Sequence, residues 1–170
     1  PHCDLLGLRY LRLCFANGTQ INRAKQHPII RQVEDYRHKV MTEYDHMKGF
    51  LRFQQIDQQV YFGHFAPDHN QLPLLLPHLE KRFSDQKLIV YDEKRSCALL
   101  YDLQRSVIVP FSQADAAQLL QDKQDDTIDL FRQYFQSITI AERANPRLQA
   151  QYMPHRYRKY MPETQSKPEV

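Results

Sequence analysis

No tryptophan, three cysteines and four glycines occur in this chain of 170 residues, and each scarcity removes a class of chemistry. The glycines at 7, 18, 49 and 63 cannot assemble GxGxxG or GxxxxGK[ST], so neither a dinucleotide nor a P-loop phosphate cradle is expected. No serine stands in a GxSxG elbow, which excludes the α/β-hydrolase arrangement. Cys3, Cys14 and Cys97 form no CxxC pair. That excludes zinc ribbons, thioredoxin-like redox chemistry and cysteine-held iron–sulfur clusters. Free cysteines fit a reducing compartment. No apolar run approaches the roughly 18 residues of a membrane span, and no basic-then-apolar leader opens the chain. The expected location is therefore the cytoplasm, with no membrane partner and no cofactor.

What is present is an ordinary globular composition, 42% hydrophobic and 25% charged. A chain of this size buries enough surface to fold without disulfides or metal. The 23 Lys+Arg against 20 Asp+Glu leave only +3, so any case for a polyanionic partner rests on where the charges sit.

Periodicity organises the chain. Residues 5–16 read as a short helix closed by Asn17-Gly18. From Pro28, Val33, Tyr36, Val40, Tyr44 and Met47 recur every three or four residues, a long amphipathic helix ending near Lys48-Gly49. The period then changes. Residues 50–56 and 60–65 are aromatic-rich and β-favouring, a hairpin. A helix over 73–83, interrupted or started by Pro77, follows. Two strands at 87–92 and 96–102 form a second hairpin, and 105–110 is a candidate third strand. Residues 115–129 hold five aspartates and one lysine, suiting a surface helix or loop, and a further amphipathic helix follows over 128–138. The predicted fold class is α+β: an antiparallel sheet of two hairpins with N-terminal and C-terminal helices packed on it, one domain over 1–163 with a flexible tail at 164–170.

The segment 143–160 carries Arg143, Arg147, Arg156, Arg158 and Lys159 with no carboxylate. Interleaved are Tyr152, Tyr157, Tyr160 and the amides Asn145, Gln149 and Gln151. Cations of this kind neutralise phosphates, and aromatic faces stack on splayed bases. The competing reading is a surface segment whose tyrosines pack onto the core while its arginines answer the aspartates of 115–129. A second basic patch surrounds the start of the first hairpin, with Lys48 and Arg52. There Arg52 either pairs with Glu43 or Asp45 or joins a phosphate-binding face. His64, His69 and His78 are weak candidates for acid/base catalysis, but their spacing matches no standard ligand motif and no metal is expected. Asp92, Glu93 and Asp102 flank hairpin turns, where turn chemistry alone accounts for acidic residues.

Two stretches carry a specific resemblance. Glu43-Tyr44-Asp45-His46-Met47-Lys48-Gly49-Phe50-Leu51-Arg52-Phe53 is similar to an E-x-H-x-x-K-G-F-x-R-F pattern. Residues 142–157, with Arg143, Asn145, Gln149, Met153-Pro154, Arg156 and Tyr157, are similar to R-x-N-x-x-x-Q-x-x-x-M-P-x-[KR]-Y. Together they resemble a bacterial family of unknown function labelled "probable DNA metabolism protein". The resemblance implies a partner of a radical-SAM protein in DNA modification or repair, in a family where some members are fused to a uracil-DNA-glycosylase-like domain. This chain lacks the CxxxCxxC of a radical-SAM enzyme and any glycosylase motif, so the implied role is accessory. Arg158 stands where the family often has Trp. The expected function is thus an accessory protein binding DNA or RNA through Lys48, Arg52, Arg143, Asn145, Arg147, Gln149, Arg156, Tyr157, Lys159 and Tyr160. The alternatives are an enzyme acting on a nucleobase with histidine acid/base groups, and a protein-interaction module with a basic docking tail.

Overall fold

A proline that a helix tolerates and a crossover between two hairpins are the features that separate the observed architecture from the sequence pattern. The computed structural model describes residues 2–120, 147 and 151–162. The chain forms two compact units, residues 1–43 and 44–170. In the first, α1 (His2–Asn17) ends where expected. Gly18 takes φ 68° and ψ 179°, a backbone region open essentially only to glycine. A short 3₁₀ turn (Thr19–Arg23) follows, tied back to α1 by the Tyr10 hydroxyl donating to Asn22 Oδ1 at 2.9 Å. The long helix α2 (Pro28–Phe50) begins on Pro28, whose missing N–H costs nothing in a first turn.

The second unit is built on one five-stranded sheet in sequential order: β1 (Phe53–Asp57), β2 (Val60–Phe65), β3 (Lys87–Asp92), β4 (Cys97–Tyr101) and β5 (Ser106–Pro110). It is an α+β arrangement, and both hairpins are antiparallel as expected, with β5 adding a third antiparallel pairing. Their junction differs: β2 and β3 run parallel. The chain leaves β2 through α3 (Leu72–Arg82), returns in the same direction, and so creates one β–α–β crossover inside an otherwise antiparallel sheet.

Pro77 lies within α3 rather than ending it. Leu72, Leu75 and Leu79 form the buried stripe of that helix. Pro77 is exposed, so the carbonyl it leaves without a donor lies toward water, and the buried leucines hold the helix through the break.

Alternation along the strands sorts the core into two layers. Phe65, Leu88, Val90 and Leu99 face one side with Leu72, Leu75 and Leu79 of α3, Met47 and Leu51 at the end of α2, and Tyr157. Ile56, Phe62, Tyr91 and Ala98 face the other with Ala116 of α4 (Gln113–Leu120). The first turn of α4 is closed reciprocally. Ser112 Oγ accepts from the Asp115 N–H at 3.2 Å, and Asp115 Oδ2 accepts from the Ser112 N–H at 2.8 Å, a capping box. A four-residue helix, α5 (His155–Arg158), completes the described elements. The 128–138 helix and the 164–170 tail lie outside the described residues. Among the described residues no helix is long and apolar enough to cross a membrane.

Candidate functional site at the ends of the parallel strands

Because β2 and β3 are parallel, their carboxyl ends lie side by side, with His64 opposite Tyr91 and Phe65 opposite Asp92. In sheets with helical crossovers the carboxyl ends of parallel strands are where ligands bind. Asp92 is fully buried. Its Oδ1 accepts from the backbone N–H groups of Lys94 at 3.0 Å and Arg95 at 3.2 Å, and its Oδ2 accepts from the Arg95 guanidinium at 2.8 Å. Arg95 also donates to the carbonyls of Pro67 at 3.2 Å and Asp68 at 2.8 Å. One buried carboxylate and one arginine thereby lock the β3–β4 turn to the loop after β2.

Glu93, one residue on, belongs to the opposite face and does something the turn does not need. Its Oε1 lies 2.8 Å from His64 Nδ1. Its Oε2 accepts from the Tyr160 hydroxyl at 2.8 Å and from the Lys159 ammonium at 3.3 Å. Burial by itself would push this carboxyl up, but the hydrogen bonds from His64, Tyr160 and Lys159 outweigh it and hold Glu93 below the usual carboxylate range. The Tyr160 phenol is driven well above its ordinary value, first by burial, then by its hydrogen bond to Glu93 and by the Glu93 charge. An ionised carboxylate only accepts, so His64 Nδ1 donates to it, and in the Nδ1–H tautomer Nε2 is the acceptor. Packing fixes the ring as well: it stacks on Phe62 (centroids 5.8 Å apart) and meets Tyr160 edge-on at 5.1 Å. A carboxylate-oriented imidazole is the arrangement that accepts a proton or reads a donor on a bound molecule.

His64, Glu93 and Lys159 line a groove of about 630 Å³, within the range of small-molecule sites. Lys94 and Gln113 add polar groups to its lining, and Ala66, Ala117 and Leu120 add apolar ones, with Phe62 and Tyr91 buried behind.

The basic, tyrosine-bearing segment meets this site from the C-terminal side, and its residues are engaged differently from a base-stacking surface. Tyr157 is 2% exposed. Its ring packs into the helix-side core against Phe50 at 5.7 Å and His46 at 6.0 Å. Tyr160 is also buried and committed to Glu93. The structure corrects the stacking expectation for these two rings: both are core-facing. Arg156 pairs with Asp68, which also receives Lys94, and these contacts hold the Asp68 carboxyl below its usual range, Lys94 contributing first and Arg156 second. Tyr157 and Tyr160 therefore pack inward while Tyr152 stays exposed, and Arg156 and Lys159 answer Asp68 and Glu93. Asp115 serves the α4 cap. Arg147 is helical and exposed. Arg143, Asn145 and Gln149 lie outside the described residues.

The other predicted residues gather elsewhere. Lys48 lies beside His78 and Arg82 around a small depression between the end of α2 and α3. His78 is held below its ordinary value, by burial first and then by the Lys48 and Arg82 charges. Lys48 contacts Asp45 at 2.7 Å and sits 4.5 Å above the Tyr44 ring. Arg52 donates to the Gly49 carbonyl at 2.6 Å, helping to close the C-terminus of α2. The three histidines do not converge: His64 lines the groove, His78 sits with Arg82 in the depression, and half-buried His69 lines neither. Among the described residues no group of three or more His, Cys, Asp or Glu is placed to hold a metal ion.

Glu93, Phe62, Tyr91 and Lys94 are the site residues that sequence reasoning did not select. The period-two alternation of β3 puts Tyr91 and Glu93 on one face, but only the β2–β3 register joins that face to His64.

A family model described as a domain of unknown function matches residues 1–163. No curated protein and no solved structure matches the chain.

Proposed function

The chain belongs to that family, DUF4130, and on that footing we propose that it is an accessory nucleic-acid-binding domain in DNA modification or repair, working beside a radical-SAM enzyme. The observation that carries the binding role is the convergence of Lys48 and Arg82 on His78, with exposed Lys81 adjacent. Burial is the first cause of the lowering at His78, and the Lys48 and Arg82 charges that add to it favour a phosphate there by the same field. The Lys48–Asp45 pair is on the surface, its aspartate 65% exposed. Such pairs are worth about 0–1 kcal/mol, so a phosphate displaces the carboxylate at little cost. Exposed Arg147 and Arg156, which keeps 52% of its side-chain surface, are further phosphate contacts in this reading. The resemblance carried by residues 43–53 and 142–157 supports the assignment to DNA modification or repair and to a radical-SAM partner.

The test is duplex and single-strand binding against salt. The purified chain binds at low salt, and log affinity falls linearly with log salt, by about 0.9 per duplex phosphate neutralised. The double change Lys48→Glu with Arg82→Glu weakens binding at least tenfold and flattens that slope. A chain that retains no nucleic acid at low salt, or a double variant that binds as before, overturns the reading.

A further inference from the structure

The groove over β2 and β3 is a second site, on the sheet face away from α3, and its chemistry is more selective than a phosphate-binding patch. Around it the salt-bridged cluster holds four cations, Lys94, Arg95, Arg156 and Lys159, against three carboxylates, Asp68, Asp92 and Glu93. Lys94 and Lys159, its two ammoniums on the groove, are 48% and 62% exposed. Their carboxylate partners are surface or half-buried contacts that an incoming anion shares or replaces. The accessible apolar part of the lining is Ala66, Ala117 and Leu120, which suits a weakly hydrated body. His64 lines the same groove, its Nδ1 committed to Glu93, which in that tautomer makes Nε2 the acceptor for an N–H or O–H donor. Anion, weakly hydrated body and hydrogen-bond donor in one small molecule describe a nucleotide.

We propose that this groove binds a nucleoside phosphate, with Lys94 and Lys159 on the phosphate, the ring against the apolar lining of Ala66, Ala117 and Leu120, and His64 accepting a hydrogen bond from the base or sugar. Glu93 acts through His64 as a positioning residue. The same ligand chemistry has two sources, a free nucleotide and the 5′-phosphorylated end of a strand.

Isothermal titration of the full chain with 5′-nucleoside monophosphates, the matching nucleosides and inorganic phosphate tests it. One monophosphate at least saturates a single site, and its nucleoside and phosphate alone each bind at least tenfold more weakly. Lys94→Gln and Lys159→Gln each reduce that affinity at least tenfold, in variants whose thermal unfolding is checked to be cooperative. In the unaltered chain, the His64 ring resonances shift on titration, a readout that depends on no variant. A 5′-phosphorylated short single strand is compared with its unphosphorylated form. Binding confined to the phosphorylated strand identifies the strand end as the source and supports the same site. The proposal is overturned by no saturable uptake of any nucleotide or phosphorylated end at millimolar concentration. It is equally overturned by uptake that leaves His64 unmoved or survives both lysine changes. Duplex retention by the α2–α3 cations is measured separately, so either reading can fail while the other stands.

Discussion

Gly63 has no side chain because its neighbours leave no space for one. A Cβ built there lies 2.9 Å from the Arg52 carbonyl oxygen and 3.0 Å from Cδ1 and Cε1 of Phe53, its partner across the β1–β2 ladder. The aromatic ring covers the bare backbone and in turn packs on Phe83, 4.8 Å between centroids. Gly63→Ala therefore forces the hairpin apart and destabilises the fold by about 1–3 kcal/mol, the usual cost of overpacking a tight core. An unchanged denaturation midpoint would show that the ring swings aside instead. Single residues were legible in the sequence where their partners are local. Asp102 accepts from the N–H groups of Gln104 and Arg105 at 2.9 and 2.7 Å, and Asp92 likewise serves its own turn. Glu93 has the same sequence context and a different job, because its partners lie 29 and 67 positions away. No local pattern distinguishes it.

At the level of elements, strand and helix periods were readable among the described residues, with boundaries shifted by a few residues at most. Phe50, expected to open β1, is the last residue of α2 because it continues that helix's apolar stripe past Met47. The parallel β2–β3 pair was not readable: hairpin signals say how each strand meets its sequence neighbour, while the crossover depends on α3 covering the sheet. The role of α5 was likewise hidden, since a run of cations reads alike whether it faces water or carboxylates 66 and 88 positions earlier. Those contacts give α5 a pH dependence. Asp68 and Glu93 are both held below their ordinary values, so their contribution is present above the unfolded range near about 4 and is lost as pH falls through the folded values. Asp68 is 45% exposed, and solvent screens its share to a modest one. The Tyr157 ring does not titrate and keeps its buried contacts. Amide exchange of Tyr157, Tyr160 and Met161 should accordingly gain protection between pH 3 and pH 6 relative to the sheet amides. Asp68→Asn should remove part of that gain. Protection that tracks the sheet at every pH would mean that packing alone holds α5.

For the whole molecule, the net charge of +3 says less than where the cations sit, and two groups of them among the described residues differ in kind. One is tied to carboxylates at the ends of β2 and β3, and the other surrounds His78. The second has a consequence that distinguishes a phosphate site from a fortuitous patch. His78 is held below its ordinary value by burial and by Lys48 and Arg82, so the uncomplexed protein leaves it neutral near pH 7. A phosphate seated among the three groups offsets the two cations and restores the histidine's affinity for a proton. Binding then takes up a proton, and by linkage affinity must rise as pH falls from about 8 toward the ordinary histidine value near 6.5. One coupled proton changes affinity by at most about tenfold per pH unit. Fluorescence anisotropy on a labelled duplex, at fixed ionic strength, should show this rise. His78→Gln keeps a polar side chain but cannot take up the proton, so it should flatten the profile while leaving the salt dependence set by Lys48 and Arg82. If the profile of the glutamine variant superimposes on that of the unaltered chain, His78 does not face the bound phosphate, and the binding surface must be sought away from the end of α2.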